Sequence, residues 1–252
     1  QGQNVLGQIG FALEDVSERK RPGKVKHLPE DDLAVTTVAG GMHTVVVTAK
    51  GAVYTFGCND EWALGRTCVE TDDLPKDEAE AKAALAEGLE GETVVAASAG
   101  DSHTFVLTAD GKVFGAGCFR DPSGSFAFSD KLFLAKKFEL VWDQPDDRAV
   151  KIASGTDHVA MLTASGKVYT YGSSDQGQLG RLHPEQCARD GNGWRANKAA
   201  DAAAKAVFGK EYEAMMAEIE NRRTSFPAMH SMLRFLPVTI RTGKKDVIVS
   251  IA

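Results

Sequence analysis

Cysteine is scarce in this chain, and the four that occur, Cys58, Cys68, Cys118 and Cys187, stand too far apart for a CxxC metal knuckle. Few and scattered, they exclude a disulfide framework and fit reduced thiols of a cytosolic or nuclear protein. Long hydrophobic runs are missing as well: Val45-Val46-Val47 ends at Thr48, so no segment has the length of a membrane span and no membrane partner is expected. No P-loop, HExxH motif or Ser/His/Asp order occurs, which leaves no covalent chemistry, cofactor or metal to expect. Nor is positive charge in excess. With 29 Lys and Arg against 35 Asp and Glu, the net charge of −6 argues against a protein that coats nucleic acid by bulk charge, although a local basic patch stays open.

What the chain does contain is a repeat. The stretch Ala39-Gly40-Gly41-Met42-His43-Thr44-Val45-Val46-Val47-Thr48-Ala49-Lys50-Gly51-Ala52-Val53-Tyr54-Thr55-Phe56-Gly57 returns in the same frame from Ala99 to Gly117 and again from Ser154 to Gly172. Three glycines and one histidine keep their offsets in every copy. Each copy reads as a hairpin: a Val/Thr-rich run, a turn with Gly51, Gly111 or Gly166 where positive φ is needed, then a second run with an aromatic. One such sheet cannot bury both faces by itself, so a period of this kind marks an array. Its length and β content favour the blades of an all-β propeller.

Along the chain, residues 1–33 read as a partial repeat, with Gly7-Gln8-Ile9-Gly10 matching Gly177-Gln178-Leu179-Gly180, and include a basic loop from Arg19 to Lys26. That loop is either a solvated connection or a nucleic-acid contact. Full repeats are expected at 34–90, 91–148 and 149–245, and Val249-Ser250-Ile251-Ala252 matches Val150-Lys151-Ile152-Ala153 as the start of the next, within 246–252. The whole of 1–252 thus reads as one partial propeller domain belonging to a longer ring. Two Ala-rich segments, Pro75 to Glu87 and Ala196 to Arg223, are expected to be helical insertions, the second with Phe208, Tyr212, Met215 and Ile219 along one stripe.

His43, His103 and His158 hold one slot in three repeats, and equivalent slots of a radial array do not converge on a metal. A structural role is expected, each imidazole bonding backbone within its own blade. Asp101 and Asp157 differ: repeat one has Gly41 and Met42 in their slots, so the frame does not require them. They are either functional groups on loops at one mouth of the propeller or makers of local Asx turns. After Gly117 the second repeat replaces the usual Gly-Gln-Leu-Gly-Arg ending with Cys118-Phe119-Arg120-Asp121-Pro122-Ser123-Gly124-Ser125-Phe126, either an ordinary loop or a protruding polar hairpin.

On Gly40-Gly41-Met42-His43-Thr44, Phe56-Gly57-Cys58-Asn59-Asp60-Glu61, Ser98-Ala99-Gly100-Asp101-Ser102-His103-Thr104, Phe119-Arg120-Asp121 and Asp157-His158, the chain resembles the regulator of chromosome condensation family. The resemblance implies a seven-bladed propeller of four-stranded blades, about three of them complete here. It implies guanine-nucleotide exchange on the small GTPase Ran, without covalent chemistry, at chromatin in the nucleus, in support of nucleocytoplasmic transport and mitosis. By the same resemblance Asp101 and Asp157 lie on the GTPase-binding face as the catalytic carboxylates. Phe119, Arg120, Asp121, Ser123, Gly124 and Ser125 would form a wedge inserted near the nucleotide. Arg189 and Arg195 would meet the nucleosome, with histones and DNA as further partners. Val5 in place of a family interface aspartate, and an altered wedge, motivate a rival: a non-catalytic propeller scaffold or chromatin-binding protein of the same family.

Overall fold

The computed structural model describes residues 2–13, 17–71, 74–120, 126–129, 131–173, 178–180 and 236–237. A short antiparallel pair, β1 (Gly2–Gln3) and β2 (Glu18–Arg19), precedes three four-stranded antiparallel sheets. The first joins β3 (Ala34–Ala39), β4 (His43–Thr48), β5 (Val53–Gly57) and β6 (Ala84–Leu85). In the second, β7 (Val94–Ala99), β8 (His103–Thr108) and β9 (Val113–Gly117) are completed by β12 (Ala135–Trp142), because β10 (Phe119–Arg120) and β11 (Phe126–Ala127) form a hairpin of their own. The third contains β13 (Ala149–Ser154), β14 (His158–Thr163), β15 (Val168–Gly172) and β16 (Leu236–Pro237). The hairpin expected in each repeat is β4–β5, β8–β9 and β14–β15, and its turn glycines Gly51, Gly111 and Gly166 have φ of 81°, 86° and 79°.

Strands buried on both faces explain why the repeats read as apolar runs rather than as alternation. Val45 and Val47 of β4 pack with Val94, Val106 and Phe114 of the second sheet. Val46, between them, turns to Phe56 and Ala83 on the other side. One sheet further on, Phe105 and Leu107 meet Ile152, Val159 and Met161 of the third, while Val106 faces back to the first. The first and second sheets therefore each supply one wall of two cores, which is the face-to-face packing of β-propeller blades. Burying one such Val, Leu or Phe side chain contributes about 1.5–3 kcal/mol, so the stack is held by adjacency rather than by any single strand pairing.

The segment Pro75 to Glu87 is not a helical insertion throughout. A helix, α1 (Lys76–Ala81), spans only its first part; Lys82 is extended, and Ala84 and Leu85 pair with Thr55 and Tyr54 as the outer strand of the first sheet. A helix of this length has little stability of its own, so pairing with an open sheet edge overrides the Ala/Glu composition. The expected helix at 196–223, with its stripe, and the repeat start at 249–252 lie outside the described residues.

Where each first strand turns into the second, a glycine and a histidine are built against one another. Gly40, Gly100 and Gly155 donate their amides to the carbonyls of His43, His103 and His158 at 2.9, 2.9 and 2.8 Å. A Cβ on these glycines would lie 2.3, 2.1 and 2.2 Å from the imidazole Cε1 of the same repeat, so only glycine fits. The imidazole partners differ from those expected. His43 Nε2 meets the Thr104 hydroxyl of the next sheet at 2.8 Å, and that hydroxyl donates to the Ala63 carbonyl at 2.7 Å. With the hydroxyl proton so used, Nε2 of His43 is the donor. His103 has no partner for either ring nitrogen among the described residues and instead packs on Phe119 and Phe105, with ring centroids 4.5 and 5.7 Å away. The histidines are structural, but the first reaches across to a neighbouring sheet and the second is an aromatic filler.

Burial holds His43 down to about 4 and His103 to about 3, both well below the ordinary 6.5. The folded protein thus excludes protons that the unfolded chain accepts below pH 6.5. Stability from these two groups is complete above that pH and is lost as pH falls towards 4. Urea unfolding measured between pH 7 and 4.5 should show stability falling through this window, and His103→Phe should flatten the fall.

Candidate functional site

Strand register places the Gly-His links, the ends of the third strands and everything that follows those ends on one side of the sheets. His43 pairs with Gly57, His103 with Gly117 and His158 with Gly172, whereas the Gly51, Gly111 and Gly166 turns lie at the opposite end. Asp101, in the link between β7 and β8, and Asp157, in the link between β13 and β14, therefore lie at the same end as the hairpin β10–β11. The two links also touch: the Asp101 amide donates to the Thr156 carbonyl at 2.9 Å, just as the Gly41 amide donates to the Gly100 carbonyl at 3.0 Å. Consecutive sheets are thereby joined by backbone at the mouth where both carboxylates sit.

The two aspartates then part ways. Asp101 is exposed, and among the described residues its carboxylate neither accepts a hydrogen bond nor forms an ion pair. It leans over the preceding link, where a Cβ on Gly41 would come within 2.0 Å of Asp101 Oδ1. Gly41 thus clears the space the carboxylate occupies. Asp157 is half-buried, and its Oδ1 accepts the Arg120 amide at 2.9 Å. Asp101 stays exposed, and Asp157 holds the Arg120–Phe126 pair of the hairpin.

That hairpin is rooted in the core. Phe119 and Phe128 are fully buried and stack with centroids 6.4 Å apart, Tyr171 packs 5.1 Å from Phe119, and the Tyr171 hydroxyl donates to the Phe128 carbonyl. Phe119 pairs with Ala127 and Arg120 with Phe126. Beyond this root the side chains turn outward: Phe126 is 39% exposed, and the Arg120 guanidinium lies 5.8 Å from its ring while pairing with the Glu61 carboxylate. Phe119 and Arg120 thus share one end of the fold with Asp101 and Asp157. Asp121, Ser123, Gly124 and Ser125 of the expected wedge, and Arg189 and Arg195 of the expected nucleosome contact, lie outside the described residues.

Glu61, the last residue of the Phe56-Gly57-Cys58-Asn59-Asp60-Glu61 motif, has no expected role from sequence. Its signal was available: in the loop Asn59 to Gly65, laid on Asn4 to Gly10, Glu61 takes the slot of Leu6. The scaffold of the two loops is shared. Asn59 Oδ1 accepts the Leu64 amide at 3.1 Å and its Nδ2 donates to the Arg66 carbonyl at 3.0 Å; Asn4 does the same to Ile9 and Phe11 at 3.3 and 2.9 Å. Arg66 is buried beneath the loop, spending its guanidinium on the Thr55, Ala79, Glu80 and Lys82 carbonyls. It anchors the loop and belongs to the frame.

Chemically, the described residues at this end offer carboxylates and a guanidinium, groups that suit charge-assisted binding. Replacing Asp157 tests its part. Asp157→Asn keeps an acceptor oxygen for the Arg120 amide and should leave hydrogen exchange at that amide nearly as slow as in the parent; Asp157→Ala removes the acceptor and should speed it about fivefold or more. Amide exchange read by mass spectrometry on peptides covering 119–127 checks both.

Repeat models described as "Regulator of chromosome condensation (RCC1) repeat" match residues 50–107, and 94–121 with 149–178. The human protein named "Regulator of chromosome condensation" is 47% identical over 191 residues, covering 75% of this chain and 42% of its own length. Its Xenopus laevis counterpart is 46% identical over 190 residues, covering 75% and 41%. The Saccharomyces cerevisiae "Guanine nucleotide exchange factor SRM1" is 32% identical over 207 residues, covering 71% and 42%. The chain thus spans about two fifths of the length of these relatives. Among solved structures, Prp20p from Saccharomyces cerevisiae, described with its binding properties to Gsp1p and histones, aligns with a TM-score of 0.64 at 29% identity over 74% of this chain and 43% of that one. Yeast RCC1 (Prp20) bound to Kap60 also gives 0.64, at 30% identity over 71% and 41%. The recurring Gly-His links, the shared sheet order and this identity over three quarters of the sequence have one explanation: the chain belongs to the regulator of chromosome condensation repeat family.

Proposed function

We propose that the protein to which this chain belongs is a guanine-nucleotide exchange factor for the small GTPase Ran, acting at chromatin in the nucleus. The observation that carries the proposal is the end of the fold where Asp101 offers an exposed carboxylate, unpaired among the described residues, beside a core-rooted hairpin held by Asp157. The sequence similarity to a named exchange factor supports the same reading. Exchange of this kind makes and breaks no covalent bond. A factor that binds the nucleotide-free GTPase more tightly than the loaded form must, by linkage, weaken nucleotide binding by the same ratio. Asp101 would draw on cationic or amide groups of the GTPase that otherwise serve phosphate. The hairpin, held by Phe119 in the core and by Asp157 at Arg120, would press Asp121, Ser123, Gly124 and Ser125 against the loops around the nucleotide. A rigid root matters here because a hairpin that yields would not displace them.

The chromatin half of the proposal rests on Arg189 and Arg195 as cations for an acidic surface of the nucleosome, with histones and DNA as partners. Replacing both by Glu in the complete protein should weaken its retention on nucleosome arrays at least several-fold, and a pull-down at fixed salt reads the loss. A non-catalytic scaffold of the same family is favoured by one observation, the apolar Val5, which is 66% exposed where the family has an interface aspartate.

The two readings separate at Asp101. In the complete protein, Asp101→Ala should cost about 2 kcal/mol or more in GTPase activation, at least tenfold in nucleotide release, because a charge-assisted contact at a desolvated interface is removed. Stability should change by less than about 0.5 kcal/mol, since no described residue depends on that carboxylate. Fluorescent-nucleotide release with the GTPase in excess and urea unfolding measure the two quantities. Release at the parent rate would favour the scaffold.

A further inference from the structure

Arg120 is gripped from both sides by residues of other sheets. Its amide is held by Asp157 of the third sheet, and its guanidinium by Glu61, in the loop that follows the third strand of the first. Both partners are distant in sequence, Asp157 by 37 residues and Glu61 by 59. Arg120 itself lies in the hairpin inserted between β9 and β12 of the second sheet, so parts of three consecutive repeats meet on one residue at the hairpin's root.

The Glu61 side of this grip has the marks of a built feature. The frame does not ask for a carboxylate there, since the matching loop has Leu6. The loop is stiff: Trp62 N donates to the Asn59 carbonyl and Gly65 N to the Trp62 carbonyl, both at 3.0 Å, and the Asn59 side chain pins both ends. Trp62, the next residue, has φ of 62° where the matching loop has Gly7 at 72°, a conformation that costs a non-glycine residue stability. Its ring lies under Lys136 Nζ at 4.8 Å, on the strand that completes the second sheet. The loop is thus tied to the second repeat twice, through Glu61 to the hairpin and through Trp62 to β12.

We infer that Glu61 is a positioning residue for nucleotide exchange: it orients Arg120 and so holds the wedge hairpin at a fixed angle to the Asp101 mouth. The inference rests on the proposed exchange function and adds a residue to it. Glu61 acts through Arg120 and not on the GTPase. The ion pair is part-exposed, so its strength depends on salt, and the hairpin's freedom should follow it.

The test is a double-mutant cycle in the complete protein. Glu61→Gln keeps the side-chain volume and removes the charge. It should lower kcat/KM for nucleotide release about threefold to fivefold at low salt, the size expected of a part-exposed ion pair, and much less at 0.5 M salt. In an Arg120→Ala background the same substitution should change kcat/KM less than about twofold. Hydrogen exchange in peptides covering 119–127 should quicken with Glu61→Gln, while the urea midpoint stays with the parent. An unchanged kcat/KM in Glu61→Gln, or an equal loss in both backgrounds, overturns the inference, the second outcome meaning that Glu61 touches the GTPase itself. If Asp101→Ala and Arg120→Ala both release nucleotide at the parent rate, it is the exchange reading that has failed. Hairpin exchange then decides the positioning role alone, and unchanged protection in Glu61→Gln overturns it.

Discussion

The rest of the structure depends on the close approach of one glycine to one histidine at the entrance of each second strand. With the imidazole lying where a Cβ would stand, the link turns sharply enough for the following amide to reach a carbonyl of the adjacent sheet, as Gly41 reaches Gly100 and Asp101 reaches Thr156. These directional bonds between successive links fix the relative position of consecutive sheets at this end. The aromatic and aliphatic cores between them, non-directional by nature, would tolerate sliding; the backbone bonds do not. Fixed blades in turn give the loops at that mouth fixed neighbours, and a site composed of residues from several loops becomes possible.

Much of this was legible. The hairpins β4–β5, β8–β9 and β14–β15 were marked by β-branched runs flanking Gly51, Gly111 and Gly166, and their order in an array followed from a recurrence no single sheet could satisfy. What escaped was whatever depends on contacts distant in sequence. Ala84 and Leu85 have no strand signature and follow a helix-forming composition; they pair because β5 presents an open edge, and only the tertiary structure knows that. The histidines show the same limit. Their constant offset announced a structural role, yet Thr104 as the partner of His43, and the absence of any for His103 among the described residues, follow from which side chains the next sheet brings up.

The candidate site divides along the same line. That Asp101 and Asp157 exceed the needs of the frame could be read from Gly41, Met42, Thr156 and Ser102 in the matching slots. That they stand in different slots, two residues and one residue before the histidine, was legible too; what each one meets was not. The bond from Arg120 to Asp157 exists because the second repeat sends its hairpin towards the third sheet, and the repeat pattern alone does not show that contact. A repeat supplies slots of equal geometry; departures from it at one blade change the surroundings of a slot in the next.

Such departures also show where stability is being set against some other demand. The loop Asn59 to Gly65 could follow its counterpart with glycine in the left-handed position and leucine before it. It has instead Trp62, at a backbone cost on the order of 1 kcal/mol, and Glu61, half-buried and charged. Neither improves the core beneath, which Leu64 and Arg66 complete in any case. What both side chains do is reach the second repeat, one at the hairpin and one at Lys136. A fold that would hold without them accepts local strain to stiffen the ground from which the hairpin rises. In the proposed exchange reaction, where the hairpin presses on the GTPase, stiffness at that point is the physical quantity that converts binding into displacement.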